Sequence, residues 1–258
     1  MVDDLLALAE EAARAAGAVL LDRWRTPATG VTEKSSSTDP ASDADRAAEV
    51  AIIRCIHDAR PHDAILAEEG GASHGDSGVR WLIDPLDGTV NYLYGLPHWS
   101  VSIAALQGAE AVAGVVYDPL RGELFRAGRG AGAWLGGVRL QVSDERDLGR
   151  VLLVTGFSYV AEERLAQVRQ QAELSGRIRD LRRLGSAALD LAYVAAGRVD
   201  AYMETFANPW DWAAGTLLVR EAGGLVSSVP GVRPGVDGIL ASGTGVHDAL
   251  VALAHAKA

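Results

Sequence analysis

The chain has 258 residues, 48% hydrophobic and 22% charged, a length and balance that exclude a disordered or fibrous protein and leave one large domain or two small ones. Acidic residues outnumber basic ones by 34 to 24, a net charge of -10, which speaks against nucleic acid as a main partner. Cys55 is the only cysteine and allows no internal disulfide, the start Met1-Val2-Asp3-Asp4 is unlike a signal peptide, and no apolar run approaches the roughly 18 residues that cross a bilayer; we expect a cytoplasmic protein without a membrane partner.

In chain order, residues 3–25 carry apolar side chains at helical spacing, with Leu5, Leu8, Ala12, Ala16 and Val19 on one face. A polar stretch containing Lys34 follows. Ser42-Asp43-Ala44-Asp45 then opens a second helix, expected to run to about Arg60, to bury Val50, Ile53 and Ile56, and to stop before Pro61. Ala64 to Ala67 reads as a buried strand that runs into Glu68-Glu69-Gly70-Gly71. Another short strand, Trp81-Leu82-Ile83, is expected to end abruptly at Asp84. Residues 99–106 and 111–117 alternate as a hairpin around Gly108, and 123–127 continues in antiparallel style. The glycine-rich segment 128–140 lacks the spacing of a nucleotide loop and reads as hairpin turns.

From about Arg150 strands and helices alternate. Strands are expected at 151–155, 178–184, 199–203 and 238–241. Helices are expected at 161–174, after a Gly185-Ser186 cap as far as Ala196, from Asp211 through Leu217 and Leu218, and at the end of the chain. The change of style predicts an α+β protein with two packed subdomains, 1–145 and 146–258.

The stretch from Trp81 to Tyr92 is the one the chain is arranged around. Asp84 and Asp87 straddle Pro85, which pins one backbone angle, and Gly88 permits a tight turn. Two anionic ligands, the carbonyl of Leu86 between them and the hydroxyl of Thr89 after them suit Mg²⁺, a hard cation that takes oxygen ligands. Read singly, each piece has a plainer role: Asp-Pro and Asp-Gly as turns, Glu68-Glu69 as solvated charges, Asp211 as a helix cap.

Taken together, 81–92 and 208–224 resemble the two signature motifs of the inositol monophosphatase family. The match continues, in family order, through Ser42–Asp45, Glu68-Glu69 and 184–204. The resemblance implies a layered αβαβα sugar-phosphatase fold, hydrolysis of phosphomonoesters with two or three Mg²⁺ per site, inhibition by Li⁺ and a homodimer. It also implies roles. The metal ligands fall on Glu68, Asp84, the Leu86 carbonyl, Asp87 and Asp211, the activating pair on Thr89 and Asp45, and a further catalytic glutamate on Glu69. Substrate contacts fall on Gly88, Thr89, Gly185, Ser186, Ala187 and Asp211, with Glu204 against an inositol hydroxyl, and Lys34 falls in a mobile loop. Tyr92 stands where phenylalanine is commoner and Ser42 where threonine is commoner; neither is a ligand. The expected substrate is inositol monophosphate or a similar small polyol phosphate. Histidinol-phosphate, fructose bisphosphate and adenosine bisphosphate phosphatases share the metal motifs, and a non-catalytic phosphosugar-binding regulator is the reading outside the enzymes. Only 14 residues separate Glu69 from Asp84, which leaves little room for the insertions of larger relatives.

Overall fold

The computed structural model describes residues 1–26, 28–33, 40–205, 208–233 and 235–256. Its helices are α1 (Val2–Arg23), α2 (Asp43–Ala59), α3 (Thr89–Leu93), α4 (Ala161–Ser175), α5 (Ala187–Ala195), α6 (Pro209–Glu221) and α7 (His247–His255). A two-residue ladder joins β1 (Thr32–Glu33) to β2 (Pro40–Ala41). Eight strands form the larger sheet: β3 (Ala64–Ala67), β4 (Ala72–Ser73), β5 (Val79–Asp87), β6 (Ser100–Gln107), β7 (Glu110–Asp118), β8 (Glu123–Gly128), β9 (Gly132–Leu135) and β10 (Val138–Arg139). Their order is β10-β9-β8-β7-β6-β5-β3-β4, with β5 parallel to β3 and antiparallel to β6. The smaller sheet holds β11 (Leu152–Thr155), β12 (Asp180–Arg182), β13 (Ala201–Glu204), β14 (Leu225–Val229) and β15 (Gly238–Ser242), ordered β12-β11-β13-β15-β14.

Helix composition sets the layers. α1 buries one stripe, Leu5, Ala9, Ala12, Ala16 and Leu20, and its alanines let it lie close on β6 and β7. With α2 it covers the outer face of the larger sheet. α5 is apolar nearly all round, burying Ala188, Leu189, Leu191, Ala192, Val194 and Ala195, as a helix between two sheets must. It packs on α6, and the pair fills the space between the larger and smaller sheets. α4 and α7 close the far side of the smaller sheet through Leu174, Leu250 and Ala254. The result is the five-layer αβαβα arrangement. Among the described residues no helix is long and apolar enough to cross a membrane.

Several local expectations change. Val50 is 66% exposed, whereas Ala48, Ile52 and Ile56 are buried. The stripe of α2 runs through Ala44, Ala48 and Ile52, and Val50 falls on the opposite side of that helix. β5 does not end at Ile83 but continues to Asp87. The expected strand 178–184 is three residues long, and the strand expected from Val199 starts at Ala201. β14 has no counterpart among the expected strands, since its two serines interrupt the apolar alternation. The short β1, β2, β4 and β10 carry too few residues for a periodic signal.

Candidate active site

One cavity of about 320 Å³ opens where the end of β5 meets the N-termini of α5 and α6. Asp84 pairs with Ser102 and Asp87 with Ser100, so β5 takes one extra residue between them, a bulge that re-aims its side chains. Pro85, with no N–H to give the ladder, occupies it. Asp84 Oδ1 accepts from the Leu86 N–H at 3.0 Å. Gly88 follows with φ +96°, where a Cβ would stand 3.1 Å from the carbonyl oxygens of Gly185 and His98, so only glycine fits.

Asp87 crosses to the other sheet's helix. Its Oδ2 accepts from Ser186 Oγ at 2.6 Å and from the Ala188 N–H at 2.7 Å, in the first turn of α5, where free amides favour an anion. Behind it, Ser100 Oγ lies 3.2 Å from Ser186 Oγ. Asp211 is not the N-cap of α6 but its third residue, and its Oδ2 accepts from the Asn208 N–H at 2.7 Å, closing a capping box. Glu68 leaves the end of β3, fixed beside β5 by its N–H donating to the Ile83 carbonyl at 3.1 Å.

These carboxyls are hard to ionise where they stand. Burial first, then the charges of Glu68, Asp87 and Asp211, raise Asp84 well above the usual carboxylate range, and Glu68 hydrogen-bonds to it. Burial pushes Asp87 up to about 6 against the pull of Ser186 and Ala188. Burial, then Glu68 and Asp87, raise Asp211 likewise. Among the described residues no three acidic, histidine or cysteine side chains are drawn together as a ready-made metal shell. The donor set still fits a hard divalent cation. All four side chains and the Leu86 carbonyl offer oxygen, and a cation would remove both the repulsion and the burial penalty.

Thr89 Oγ1 donates to Asp45 Oδ1 at 2.9 Å and lies 3.0 Å from the Leu86 carbonyl. Asp45 is fixed from its other side. Its Oδ2 accepts from the Ser42 N–H at 2.8 Å and from Ser42 Oγ at 2.5 Å, the capping box that starts α2. A helix cap and a hydroxyl partner thus share one buried carboxylate.

A sequence profile of the inositol monophosphatase family matches residues 1–257. The chain belongs to that family. It is 48% identical over 230 residues to Nus factor SuhB of Escherichia coli strain K12, a match covering 88% of this chain and 86% of that protein. Its fold matches extragenic suppressor protein suhB from Bartonella henselae with a TM-score of 0.92 and 36% identity, over 99% of this chain and 100% of that one. It also matches inositol monophosphatase from Anabaena with a TM-score of 0.85 and 39% identity, over 97% and 95% of the two chains. The layered fold is therefore the family's.

Of the residues the family resemblance singles out, Glu68, Asp84, Leu86, Asp87 and Asp211 line the cavity. So do Gly88, Thr89, Gly185, Ser186, Ala187 and Glu204. Asp45 sits behind Thr89 and is 1% exposed. Glu69 is not among the lining residues, and Lys34 lies outside the described residues. Glu204 Oε2 accepts from the Tyr202 hydroxyl at 2.6 Å. Burial pushes its carboxyl up to about 7, with Tyr202 and Arg183 pulling downward. Gly156 leaves room for that carboxylate, which a Cβ there would overlap.

Two acidic residues escaped the sequence reading. Glu49 on α2 is buried and accepts from the Glu69 N–H at 2.8 Å and the Gly71 N–H at 3.0 Å, cradling the turn after Glu68. Asp190 on α5 is buried against His98 and lines the cavity. The available signal was the same for both: a carboxylate on an apolar helix stripe, where charge is costly unless it has work to do.

Proposed function

We propose that this chain is a Mg²⁺-dependent phosphomonoesterase that releases phosphate from inositol monophosphate or a similar small polyol phosphate. The observation that carries the reading is one cavity lined by four carboxylates, Glu68, Asp84, Asp87 and Asp211, with the Thr89–Asp45 hydrogen bond beside them. Family membership supports phosphatase chemistry in general. Glu68, Asp84, the Leu86 carbonyl, Asp87 and Asp211 would hold two or three Mg²⁺, which would neutralise the phosphate dianion and lower the pKa of a water.

The protein's own groups supply the rest. Thr89 donates to Asp45, so its oxygen keeps a lone pair for a proton from the attacking water, while its own proton moves toward Asp45. Such positioned acid–base help is typically worth about 10² to 10⁴ in rate. The first turn of α5 orients Asp87 through Ser186 and Ala188, and Gly185 and Ala187 line the same entrance. Glu204, an acceptor when ionised, suits a hydroxyl of the alcohol. Glu69, which is off the cavity lining, would act only through the turn that Glu49 holds. No side chain is needed as a covalent nucleophile.

Phosphate release from a panel of phosphomonoesters with Mg²⁺ tests the reading. Inositol monophosphate is expected among the substrates; release from histidinol phosphate or a bisphosphate instead would move the assignment within the fold, and release from none would end it. The family also supports a homodimer and Li⁺ inhibition, and the lone cysteine suits a reducing cytoplasm.

A second reading comes from the curated relatives, whose printed name is Nus factor SuhB. On it, the chain acts through a partner and not through turnover. The net charge of -10 then favours a protein over direct contact with nucleic-acid phosphates. Expression of the wild type and Asp87→Asn in Escherichia coli lacking its own relative separates the two: equal rescue by both would favour the non-catalytic role.

A further inference from the structure

The cavity holds a buried acceptor that the reaction above leaves unused. Asp190, one turn into α5, is 2% exposed and lines the cavity together with Arg183 and Glu204. Its Oδ1 lies 3.3 Å from His98 Nε2. Among the described residues no protein donor bonds Oδ2, and that oxygen is not one of those sealed into the core.

His98 is held firmly enough to aim this carboxylate. Its ring meets Tyr193 edge-on, with centroids 5.7 Å apart. Its carbonyl accepts from Asn91 Nδ2 at 2.7 Å, and the same amide donates to the Leu184 carbonyl at 2.8 Å. One asparagine thus staples the His98 loop to the entry of α5. A purely structural residue at position 190 would match its neighbours Leu189, Leu191 and Ala192, since a carboxylate offers about four acceptor sites and one imidazole satisfies only one.

We propose that Asp190, oriented by His98, is a specificity-determining residue that accepts a hydrogen bond from a second hydroxyl on the alcohol portion of the substrate. The inference rests on the polyol phosphatase reading and deepens it. Glu204 and Asp190 are two acceptors on one cavity, and the guanidinium of Arg183 is a donor beside them. Such a set favours an alcohol with at least two hydroxyls, because an ester lacking them leaves a buried acceptor unpaired.

The test compares kcat and KM for inositol 1-phosphate and for phenyl phosphate in the wild type and in Asp190→Asn. The variant is expected to lose about tenfold more kcat/KM on the polyol ester than on phenyl phosphate, chiefly through KM. His98→Gln, which keeps a donor, should retain more of this discrimination than His98→Ala. Equal losses on both esters would overturn the proposal while leaving the phosphatase reading in place. If the wild type hydrolyses neither ester, the reaction assignment fails, and the melting-temperature rise with inositol 1-phosphate decides Asp190 separately. A rise confined to the wild type supports it; equal rises in wild type and Asp190→Asn overturn it.

Discussion

Asp45 illustrates how one side chain can serve stability and chemistry together. It closes the capping box of α2 with one oxygen and receives the Thr89 hydroxyl with the other. Thr89→Ala and Asp45→Asn are each expected to cut kcat by about 10² or more, and the double variant to be little worse than either, since groups acting as one unit lose non-additively. Asp45→Asn should also cost about 1 kcal/mol of stability as a damaged cap. Steady-state kinetics on folded protein checks this, and fully additive losses would reject the coupled path. For Asp87→Asn, most turnover should vanish while the fold persists. In the wild type, Mg²⁺ should raise the melting temperature by mass action. An unchanged melting temperature together with chelator-resistant turnover would count against a metal at this site. Gly156 offers a route to Glu204 without touching it. Gly156→Ala pushes the Glu204 carboxylate aside and should mimic Glu204→Gln. Each is expected to weaken use of inositol monophosphate about tenfold, roughly 1.4 kcal/mol, and to affect glycerol phosphate less.

The site depends on how β5 is pinned at both ends. Its far end is set by the bulge around Pro85. Its near end is anchored by Asp63, 3% exposed, which receives Trp81 Nε1 at 2.8 Å and Ser77 Oγ at 2.6 Å and pairs with Arg60. Burial pushes the Asp63 carboxyl up, but Arg60, Ser77 and Trp81 outweigh it and leave it below its ordinary value of 3.8. A carboxyl that is the stronger acid when folded binds fewer protons folded than unfolded. Its stabilisation is therefore complete above the ordinary value and fades as pH falls through it. Asp63→Asn is expected to lose about 1–3 kcal/mol at neutral pH, and this gap should close as the pH drops below about 4. Urea unfolding at neutral and acid pH measures it; a gap of constant size would refute the linkage. Glu49 plays the matching part for β3, holding the turn that carries Glu68.

Across the molecule, α5 and α6 are the shared core of two sheets, and the cavity lies at their N-termini. Asp87, on the larger sheet, is held by α5, which packs toward the smaller one. Fold and site should therefore weaken together. Leu191, fully buried between the sheets, is the clearest probe: Leu191→Ala should cost about 2–5 kcal/mol through the cavity it leaves. It should also lower turnover by loosening the helix that orients Asp87. Denaturant midpoints and kinetics on the same preparation check this, and a large stability loss with undisturbed turnover would show that α5 does not couple the two.

Residue type and local spacing alone marked Asp84 and Asp87 as paired oxygen ligands and located the Ser186 cap and most strands, whereas Glu68 and Asp211 gained a role only beside the family's motifs. Caps, turns and hydrophobic periods are short-range effects that a sequence carries directly. The β5 bulge and the exposure of Val50 were decided by neighbours in space: the ladder with β6 set the extra residue, and the sheet chose the stripe of α2. For Asp190 and Glu49 the sequence shows only a carboxylate on an apolar helix stripe, and the tertiary structure decides the role. Their partners, His98 and the Glu69–Gly71 turn, stand 92 and 20 to 22 residues away, and what a buried carboxylate does is settled by the donors that packing brings to it.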